Sequence, residues 1–444
     1  MSNHTDQPSG LWQHCLQQAS LSDVGLRRAN NQDAKVVVIA GSEEIWRQRG
    51  HLFMVADGMG AHAAGELASK MAADTVALTY FKLPDLNAAD ALAVAVEEAN
   101  RQIHERGEAD PEFKGMGTTA TALALLPEGA VVAHAGDSRA YRLRGDRYEQ
   151  LTFDHSLVWE IRAARQFDGD DIPLHVPKNI ITRSLGPNAQ VQIDLEGPFP
   201  IVVGDTFLLC SDGLSGPVED DEMGAILGSM PPDDAVRALV NLANLRGGPD
   251  NITVLVVRVT APLEPGSNGS QTGGTARANG ARAASVQPVQ PWVSILLGVF
   301  ALAALGAAAM HLWLVAAASV IGAVVAGVIA LVQRYGSEPP TASLSRQPLG
   351  KGPYVASTCP PGSDFVDRVE QIVDELREAA EKGSWTVDWD RYRALVGGST
   401  AAKQAGDFAR AVRENFQAID FLMTQLKAQR RPAGPHPSDS VLDR

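Results

Sequence analysis

A run of 41 residues without a single Asp, Glu, Lys or Arg, at positions 292–332, constrains the fold of this chain more than any other feature. A membrane-spanning helix needs about 20 predominantly apolar residues, so a run of this length predicts two spans joined by a tight turn. His311 and Trp313 mark the expected turn, since Trp suits a membrane interface. A single long span with an interfacial remainder is the alternative.

The composition on either side of this run indicates the domain organisation. Stretches rich in Gly, Ser, Ala and Pro flank it and are typical of flexible linkers. Phe365, Val369, Ile372 and Leu376 follow a helical spacing, which predicts a small all-α domain near the C-terminus. The expected parts are a polar leader (1–20), a mixed α and β domain (21–261), a flexible linker (262–291), two transmembrane helices (292–333), a Pro/Ser/Gly-rich linker (334–363), a helical C-terminal domain (364–431) and a disordered tail (432–444).

The net charge of −14 is carried by the first 260 residues, which hold 36 acidic against 21 basic residues. Such an acidic surface repels a phosphate backbone, so we expect no nucleic-acid partner. The three cysteines, Cys15, Cys210 and Cys359, show no zinc spacing, and their odd number argues against a disulfide framework. The N-terminus has no apolar signal segment, and we expect both folded parts in the cytoplasm.

The pattern of the first domain predicts both strands and helices. We expect strands at 35–40, 51–56, 118–126, 130–135, 206–210 and 252–259, and helices at 65–81, 88–106 and 233–245. The strands do not alternate regularly with the helices, which disfavours a doubly wound parallel sheet. Two packed sheets flanked by helices, an α+β architecture, fit this order better.

Aspartates follow several of the apolar runs. Asp57 comes directly after residues 52–56, Asp137 follows another such run, and Asp212 and Asp250 stand in Ser-Asp-Gly and Pro-Asp-Asn. A glycine beside such an aspartate lets the backbone turn sharply and approach a ligand. One Asp-Gly is equally typical of a hairpin turn, but several aspartates that each end a strand indicate a cation-binding cleft. Oxygen ligands without a Cys/His cluster favour magnesium or manganese over zinc.

Residues from about 20 to 260 resemble the metal-dependent protein phosphatase family, also called protein phosphatase 2C, in its bacterial form. The motifs that carry the resemblance are residues 23–33, DGMGAHAAGELAS (57–69), MGTT (116–119), GDSR (136–139), LTFDHS (151–156), NIITRSLG (179–186), DTFLLCSDGL (205–214) and GPDNITV (248–254). The resemblance implies an antiparallel β-sandwich flanked by helices, with a metal cleft at one edge. It also implies an enzyme, a hydrolase that dephosphorylates phosphoserine and phosphothreonine in proteins.

The resemblance further implies a site with two manganese or magnesium ions. The implied metal ligands are Asp33, Asp57, Gly58, Asp137, Asp212 and Asp250. Asp57 would bridge the two ions with the Gly58 carbonyl on the second, and Asp137 resembles the ligand of a third ion. Two ions that share a carboxylate activate a water for in-line attack on phosphorus, which makes Asp57 and Asp212 catalytic.

Two positions near the start of the domain complete this interpretation. Arg28 would bind the substrate phosphate through its planar guanidinium and is counted with the catalytic residues. Gln32 stands where the family usually has Glu. The change removes one negative charge near the second ion, so we expect weaker metal binding there.

These inferences predict a multi-pass protein of the cell membrane, tethered by the hairpin, whose substrates are phosphoserine and phosphothreonine proteins. Such an enzyme would oppose a serine/threonine kinase, which is its expected partner. Two alternatives stay open. One is a membrane-bound regulatory scaffold with a weakly active phosphatase domain, and the other is a phosphatase dedicated to one anti-sigma-type regulator. The complete carboxylate set favours an active enzyme over the scaffold.

Overall fold

The computed structural model describes residues 11–61, 63–164, 177, 180–263 and 348–430. Among these residues no helix combines the length and the apolar character that crossing a bilayer requires. The apolar run at 292–332, on which the predicted membrane hairpin depends, lies outside the described residues.

Two antiparallel sheets form the centre of the fold. The strands are β1 (Leu16–Asp23), β2 (Asp33–Val38), β3 (His51–Met59), β4 (Gly117–Thr118), β5 (Ala120–Leu126), β6 (Gly129–Ala135), β7 (Arg139–Arg144), β8 (Arg147–Gln150), β9 (Asp194–Phe199), β10 (Thr206–Cys210), β11 (Ile252–Val259) and β12 (Val355–Thr358). The first sheet has the order β1-β11-β10-β7-β8-β12, and the second has the order β2-β3-β5-β6-β9 with β4 beside β3. The antiparallel α+β fold is therefore as the sequence predicts.

The helices cover the outer faces of the two sheets. They are α1 (Leu11–His14), α2 (Glu43–Arg49), α3 (Ala64–Tyr80), α4 (Ala88–Ala109), α5 (Leu157–Ala163), α6 (Asp212–Ser215), α7 (Asp220–Ser229), α8 (Pro232–Leu245), α9 (Ser363–Lys382), α10 (Trp389–Gln404) and α11 (Phe408–Arg430). The long helices α3 and α4 pack on the second sheet, and α7 and α8 pack on the first.

The two-residue period of the strands explains the layers. In β3, Phe53 and Val55 belong to the core between the two sheets. Leu52 and Met54 point the other way and join the core beneath α3 and α4. Successive side chains of a strand face opposite sides of its sheet, so an unbroken apolar run is buried on both faces. This arrangement fixes the end of β3, where Asp57 lies, at the edge of the sandwich.

The C-terminal helices do not form a separate domain, which corrects the expected boundary at residue 364. Phe416 and Leu422 of α11 share one apolar core with Met223 of α7 and Leu239 of α8. The Arg413 guanidinium donates to the carbonyl of Ser229, at the end of α7, at 2.8 Å. The described residues 11–263 and 348–430, with the gaps given above, accordingly belong to one compact unit.

Two segments expected to be irregular contain strands. Within the expected leader 1–20, β1 begins at Leu16 and pairs with Val259 of β11. Within the expected linker 334–363, β12 pairs with β8 and places Val355 opposite Gln150. Both are edge strands with several polar or exposed residues, so their sequences lack the apolar pattern of a buried strand.

Candidate metal centre

Asp33 and Asp57 face each other across neighbouring strands. The antiparallel register of β2 and β3 pairs these two residues directly, although they are far apart in sequence. Directly opposite residues in an antiparallel pair have Cβ atoms about 4.5–5.5 Å apart, which brings both carboxylates to one end of the sheet.

Gly58 lets the chain after Asp57 pass close to two other backbone segments. A Cβ atom at Gly58 would lie 2.1 Å from the Gly65 carbonyl oxygen and 2.5 Å from that of Gln32. Only glycine fits such an approach. The Gln32 side chain lies against the same segment, because a Cβ at Gly65 would be 3.0 Å from its Cδ. The predicted second-ion ligand, Gly58, and Gln32, which was expected to lie near the same ion, are therefore neighbours.

Thr119 braces Asp57 from within the core. Its Oγ1 accepts a hydrogen bond from the Asp57 amide at 2.8 Å and bonds to the Ser138 hydroxyl at 2.8 Å. Thr118 donates through Oγ1 to the Asp57 carbonyl at 2.9 Å. The hydroxyl of Thr119 thus links the end of β3 to the turn that carries Asp137.

Asp212 and Asp250 enter the cleft from the first sheet. Asp212 begins the short helix α6 directly after β10, and its carboxyl group lies close enough to that of Asp57 for the two charges to interact. The chain directly after Asp250 packs tightly on this turn, since a Cβ at Gly213 would lie 1.9 Å from the Asn251 carbonyl oxygen. Both sheets therefore contribute carboxylates to the same cleft.

Asn251 ties its own loop to three points of the loop between β1 and β2. Its Oδ1 accepts from the Gln32 amide at 2.8 Å, and its Nδ2 donates to the carbonyls of Val24 and Asn30 at 2.9 and 3.0 Å. Sequence reasoning gave this side chain no role of its own, although it belongs to the quoted motif GPDNITV. In the sequence, only its position directly after Asp250 and before a predicted strand indicates that Asn251 lies near the site.

Arg28 lies on the rim of the cleft. Its Nη2 donates to Asp250 Oδ2 at 2.6 Å, and about half of the Arg28 side chain is exposed. The charges of Asp57 and Asp212 also raise the pKa of this guanidinium. The predicted phosphate ligand therefore lies beside the carboxylate cluster and in reach of solvent.

Burial and mutual repulsion raise the pKa of the carboxyl groups in the cleft. The pKa of Asp57 is well above its usual range because the group is buried and lies close to the charges of Asp33, Asp212, Asp137 and Asp250. Burial is also the main cause that raises the pKa of Asp33 to about 6 and that of Asp137 to about 7. The cleft thus brings all five predicted aspartates together, and it disfavours the ionised forms of Asp33, Asp57, Asp137 and Asp212 unless a cation is present.

Three oxygens support the fit of divalent cations. Asp33 Oδ1, Asp137 Oδ1 and Asp212 Oδ1 are buried and have no hydrogen-bond partner within the described part of the chain. Such an oxygen is costly unless a donor or a cation satisfies it. In the same described residues no three His, Cys, Asp or Glu side chains converge as a complete ligand set for one ion. Magnesium-type ions keep several waters and need only one or two carboxylates each, so shared, hydrated ions fit this donor set.

Residues next to the metal centre have structural contacts. Arg139 forms an ion pair with Asp154 at 2.7 Å. His155 accepts a hydrogen bond through Nδ1 from the Gly136 amide at 3.0 Å. These contacts order the turn that carries Asp137. Gly136 itself has a φ of 121°, a conformation that favours glycine.

Comparison with known proteins gives the same picture for the first part of the chain. The family model of protein phosphatase 2C matches residues 27–243. Protein phosphatase PhpP of Streptococcus pneumoniae is 39% identical over 241 residues, which cover 53% of this chain and 95% of PhpP. Serine/threonine phosphatase stp of Listeria innocua is 38% identical over 211 residues, or 46% of this chain and 83% of the relative.

A solved structure agrees with these relatives. The crystal structure of the Mycobacterium tuberculosis serine/threonine phosphatase PstP is similar with a TM-score of 0.50 and 35% sequence identity. The match covers 55% of this chain and 99% of the mycobacterial one. Since nearly the whole length of such phosphatases is matched, the chain belongs to the protein phosphatase 2C family and is a metal-dependent protein serine/threonine phosphatase.

Proposed function

We propose that this phosphatase hydrolyses phosphoserine and phosphothreonine with two divalent ions, manganese or magnesium, held by Asp33, Asp57, Asp212 and Asp250 and by the Gly58 carbonyl. The buried, unpaired oxygens of Asp33 and Asp212 are the observation that carries the proposal, within the residues that the structure describes. Bound ions lower the pKa of water and polarise the phosphoryl group. Asp137, whose Oδ1 is also buried and unpaired among the described residues, is the proposed ligand of a third ion.

The protein side chains supply orientation and charge. Asp57, whose backbone amide donates to Thr119, would be the shared ligand between the two positions. Arg28 presents a planar set of donors on the rim, a geometry that suits two phosphate oxygens. A protein phosphoserine or phosphothreonine can reach this rim because the guanidinium is half-exposed.

Activity of the full chain on p-nitrophenyl phosphate and on a phosphothreonine peptide tests this proposal. We expect turnover with Mn²⁺, loss of turnover with EDTA, and a loss of several orders of magnitude in Asp57→Asn. Asp85→Asn, an exposed aspartate outside the cleft, is the matched control and should keep full activity. Undiminished turnover in chelator, or in Asp57→Asn, would contradict the proposal.

We further propose that residues 292–333 tether the enzyme to the cell membrane through two spans. The pairing of β12 with β8 supports two spans over one, because a single span would place these paired strands on opposite sides of the bilayer. With two spans, the catalytic part and the C-terminal helices both lie in the cytoplasm. Reporter fusions at residues 285 and 444 test this topology. A C-terminal reporter that is active only outside the cytoplasm would overturn it.

Tethering favours membrane-associated phosphoproteins as substrates, and we propose that the enzyme opposes a serine/threonine kinase that phosphorylates them. A phosphoproteome comparison of cells with the wild type and with Asp57→Asn identifies these substrates. Phosphorylation that rises on many membrane-associated proteins would support the proposal. A rise confined to one regulator would instead support the dedicated phosphatase, and no change would favour the regulatory scaffold.

A further inference from the structure

The C-terminal helices line a half-open cavity of about 410 Å³ that shares no residue with the metal centre. Three helices line it: α9 and α10 form the walls, and α11 contributes one residue. The lining residues are Glu370, Val373, Asp374, Val396, Thr400, Lys403, Gln404 and Asn415. Those of α9 and of α10 each follow a helical spacing and so lie on one face. The volume is in the range of small-molecule sites.

Asn415 gives this cavity a specific chemistry. The residue is 1% exposed, and in the described part of the chain neither its Oδ1 nor its Nδ2 has a hydrogen-bond partner. A buried amide without partners destabilises a fold, because the group has lost its water and gained nothing in return. A molecule in the cavity that both donates and accepts hydrogen bonds would satisfy both ends.

Asn100 shows what a structural asparagine in this protein looks like. It is 2% exposed on α4. Its Nδ2 donates to the carbonyls of Asn188 and Ala189 at 3.1 and 3.2 Å, and its Oδ1 accepts from the Gly186 amide at 2.8 Å. The two residues are equally buried, but the side-chain amide of Asn100 makes three hydrogen bonds, whereas that of Asn415 makes none within the described part of the chain. Asn415 therefore lacks the contacts that would explain it as a purely structural amide.

The charges around the cavity indicate the sign of the ligand. The Lys403 ammonium bonds to Glu370 at 2.6 Å and also to Asp367, so this cation is already balanced by two carboxylates. The Asp374 Oδ1 atom lies 3.6 Å from Nε of Arg377, which is longer than a hydrogen bond. The Asp374 side chain is 68% exposed. An ammonium group at the mouth of the cavity would add a closer partner for Asp374.

We propose that this cavity is a binding site for short peptides with a free amino terminus. The first peptide group would pair with the Asn415 amide through one donated and one accepted hydrogen bond. The terminal ammonium would lie at Asp374, and a small side chain would contact Val373 and Val396. The site belongs to the C-terminal helices and does not depend on the activity proposed for the metal centre.

A comparison of two variants of the full chain tests the premise. Asn415→Leu keeps the branched outline and the number of side-chain heavy atoms and removes the unsatisfied amide, and the adjacent cavity leaves room for the larger methyl groups, so it should raise the Tm by at least about 2 °C. Asn100→Leu, the matched control, breaks three existing hydrogen bonds and should lower the Tm by several degrees. If Asn415→Leu lowered the Tm as much as Asn100→Leu does, the amide would be structural and the proposal would be wrong.

Binding of L-alanyl-L-alanine to the full chain, followed by saturation-transfer NMR, tests the site itself. We expect saturable binding to the wild type and to Asp390→Asn, an exposed control on α10 outside the cavity. Binding should weaken by about tenfold or more in Asn415→Leu and in Asp374→Asn, and for N-acetyl-L-alanyl-L-alanine, which lacks the ammonium. Equal affinity in Asn415→Leu, or no saturable binding at about 10 mM, would overturn the proposal.

Discussion

Replacing Thr119 by Val tests whether one hydroxyl group holds Asp57 in its catalytic position. The two side chains have nearly the same shape, and residue 119 is fully buried, so the change removes the hydroxyl with little repacking. The Asp57 amide then loses its acceptor at 2.8 Å, whereas the Ser138 hydroxyl can rotate toward another partner. One orphaned buried donor costs about 1–3 kcal/mol, which is the expected loss in the free energy of unfolding.

Urea unfolding of the metal-free protein measures this loss, and kcat/KM with p-nitrophenyl phosphate measures the displacement of Asp57. A misplacement of about 1 Å at a reacting centre can cost about 100-fold, so we expect kcat/KM to fall by about 10–100-fold in Thr119→Val. Thr119→Ser is the matched control, because it keeps the hydroxyl and loses one methyl group. It should lose about 1 kcal/mol of stability and keep most of its kcat/KM. A Thr119→Val enzyme with the stability and kcat/KM of the wild type would refute the role of the hydroxyl.

Four further results are expected. Arg28→Ala should raise KM by about 10–100-fold with a smaller effect on kcat, and Arg28→Lys should restore part of the binding; an unchanged KM with a collapsed kcat would contradict this. Gln32→Glu should tighten Mn²⁺ binding in isothermal titration, because it adds a charge beside Gly58; no gain would mean that the side chain does not reach the ion. Burial raises the pKa of Asp33 to about 6 and of Asp137 to about 7 in the folded protein. In the unfolded chain these carboxyl groups lose their protons at a lower pH. The free energy of unfolding of the metal-free protein should therefore fall as the pH rises from about 4 to 7. Mn²⁺ relieves this repulsion, and its effect on the Tm should be larger at pH 8 than at pH 5.5; the reverse order would contradict the assignment. Phe416→Ala should lower the free energy of unfolding by about 3–5 kcal/mol and lower the temperature of one common unfolding transition in calorimetry. A catalytic part that still unfolds separately at the wild-type temperature would argue against a shared core.

The sequence predicts the buried strands better than the paired edge strands. β10 and β11 have their expected bounds, because Thr206–Cys210 and Ile252–Val259 are almost wholly buried and apolar. β7 and β8 were not predicted. Their residues Arg142 and Glu149 are charged but buried, and they form an ion pair across the two strands. The sequence contains the two charges but gives no sign that they pair, so these segments have the polar composition of exposed loops.

The site divides in a similar way. The sequence points to Asp57, Asp137 and Asp212 because each follows an apolar run near a turn, whereas Asp33 and Asp250 are assigned through the family motifs; the structure brings all five into one cleft. Their roles as metal ligands stay a prediction. The brace formed by Thr119 and the junction formed by Asn251 depend on contacts between residues far apart in the chain. No local pattern in the sequence distinguishes such side chains from an ordinary buried Thr or a loop Asn.

The position of β12 at the edge of the first sheet also sets an order of events during synthesis. About 100 residues separate β11 from β12, and the ribosome adds them in about 5–20 s. Domains generally fold from the N-terminal side as they emerge. During this interval the edge of β8 that later pairs with β12 is open. The apolar faces of α7 and α8 that later pack against α11 are also uncovered. Open strand edges and uncovered apolar surface are the features that drive association between nascent chains. The newly made enzyme is therefore most vulnerable to aggregation after its catalytic part has left the ribosome and before its last strand has arrived.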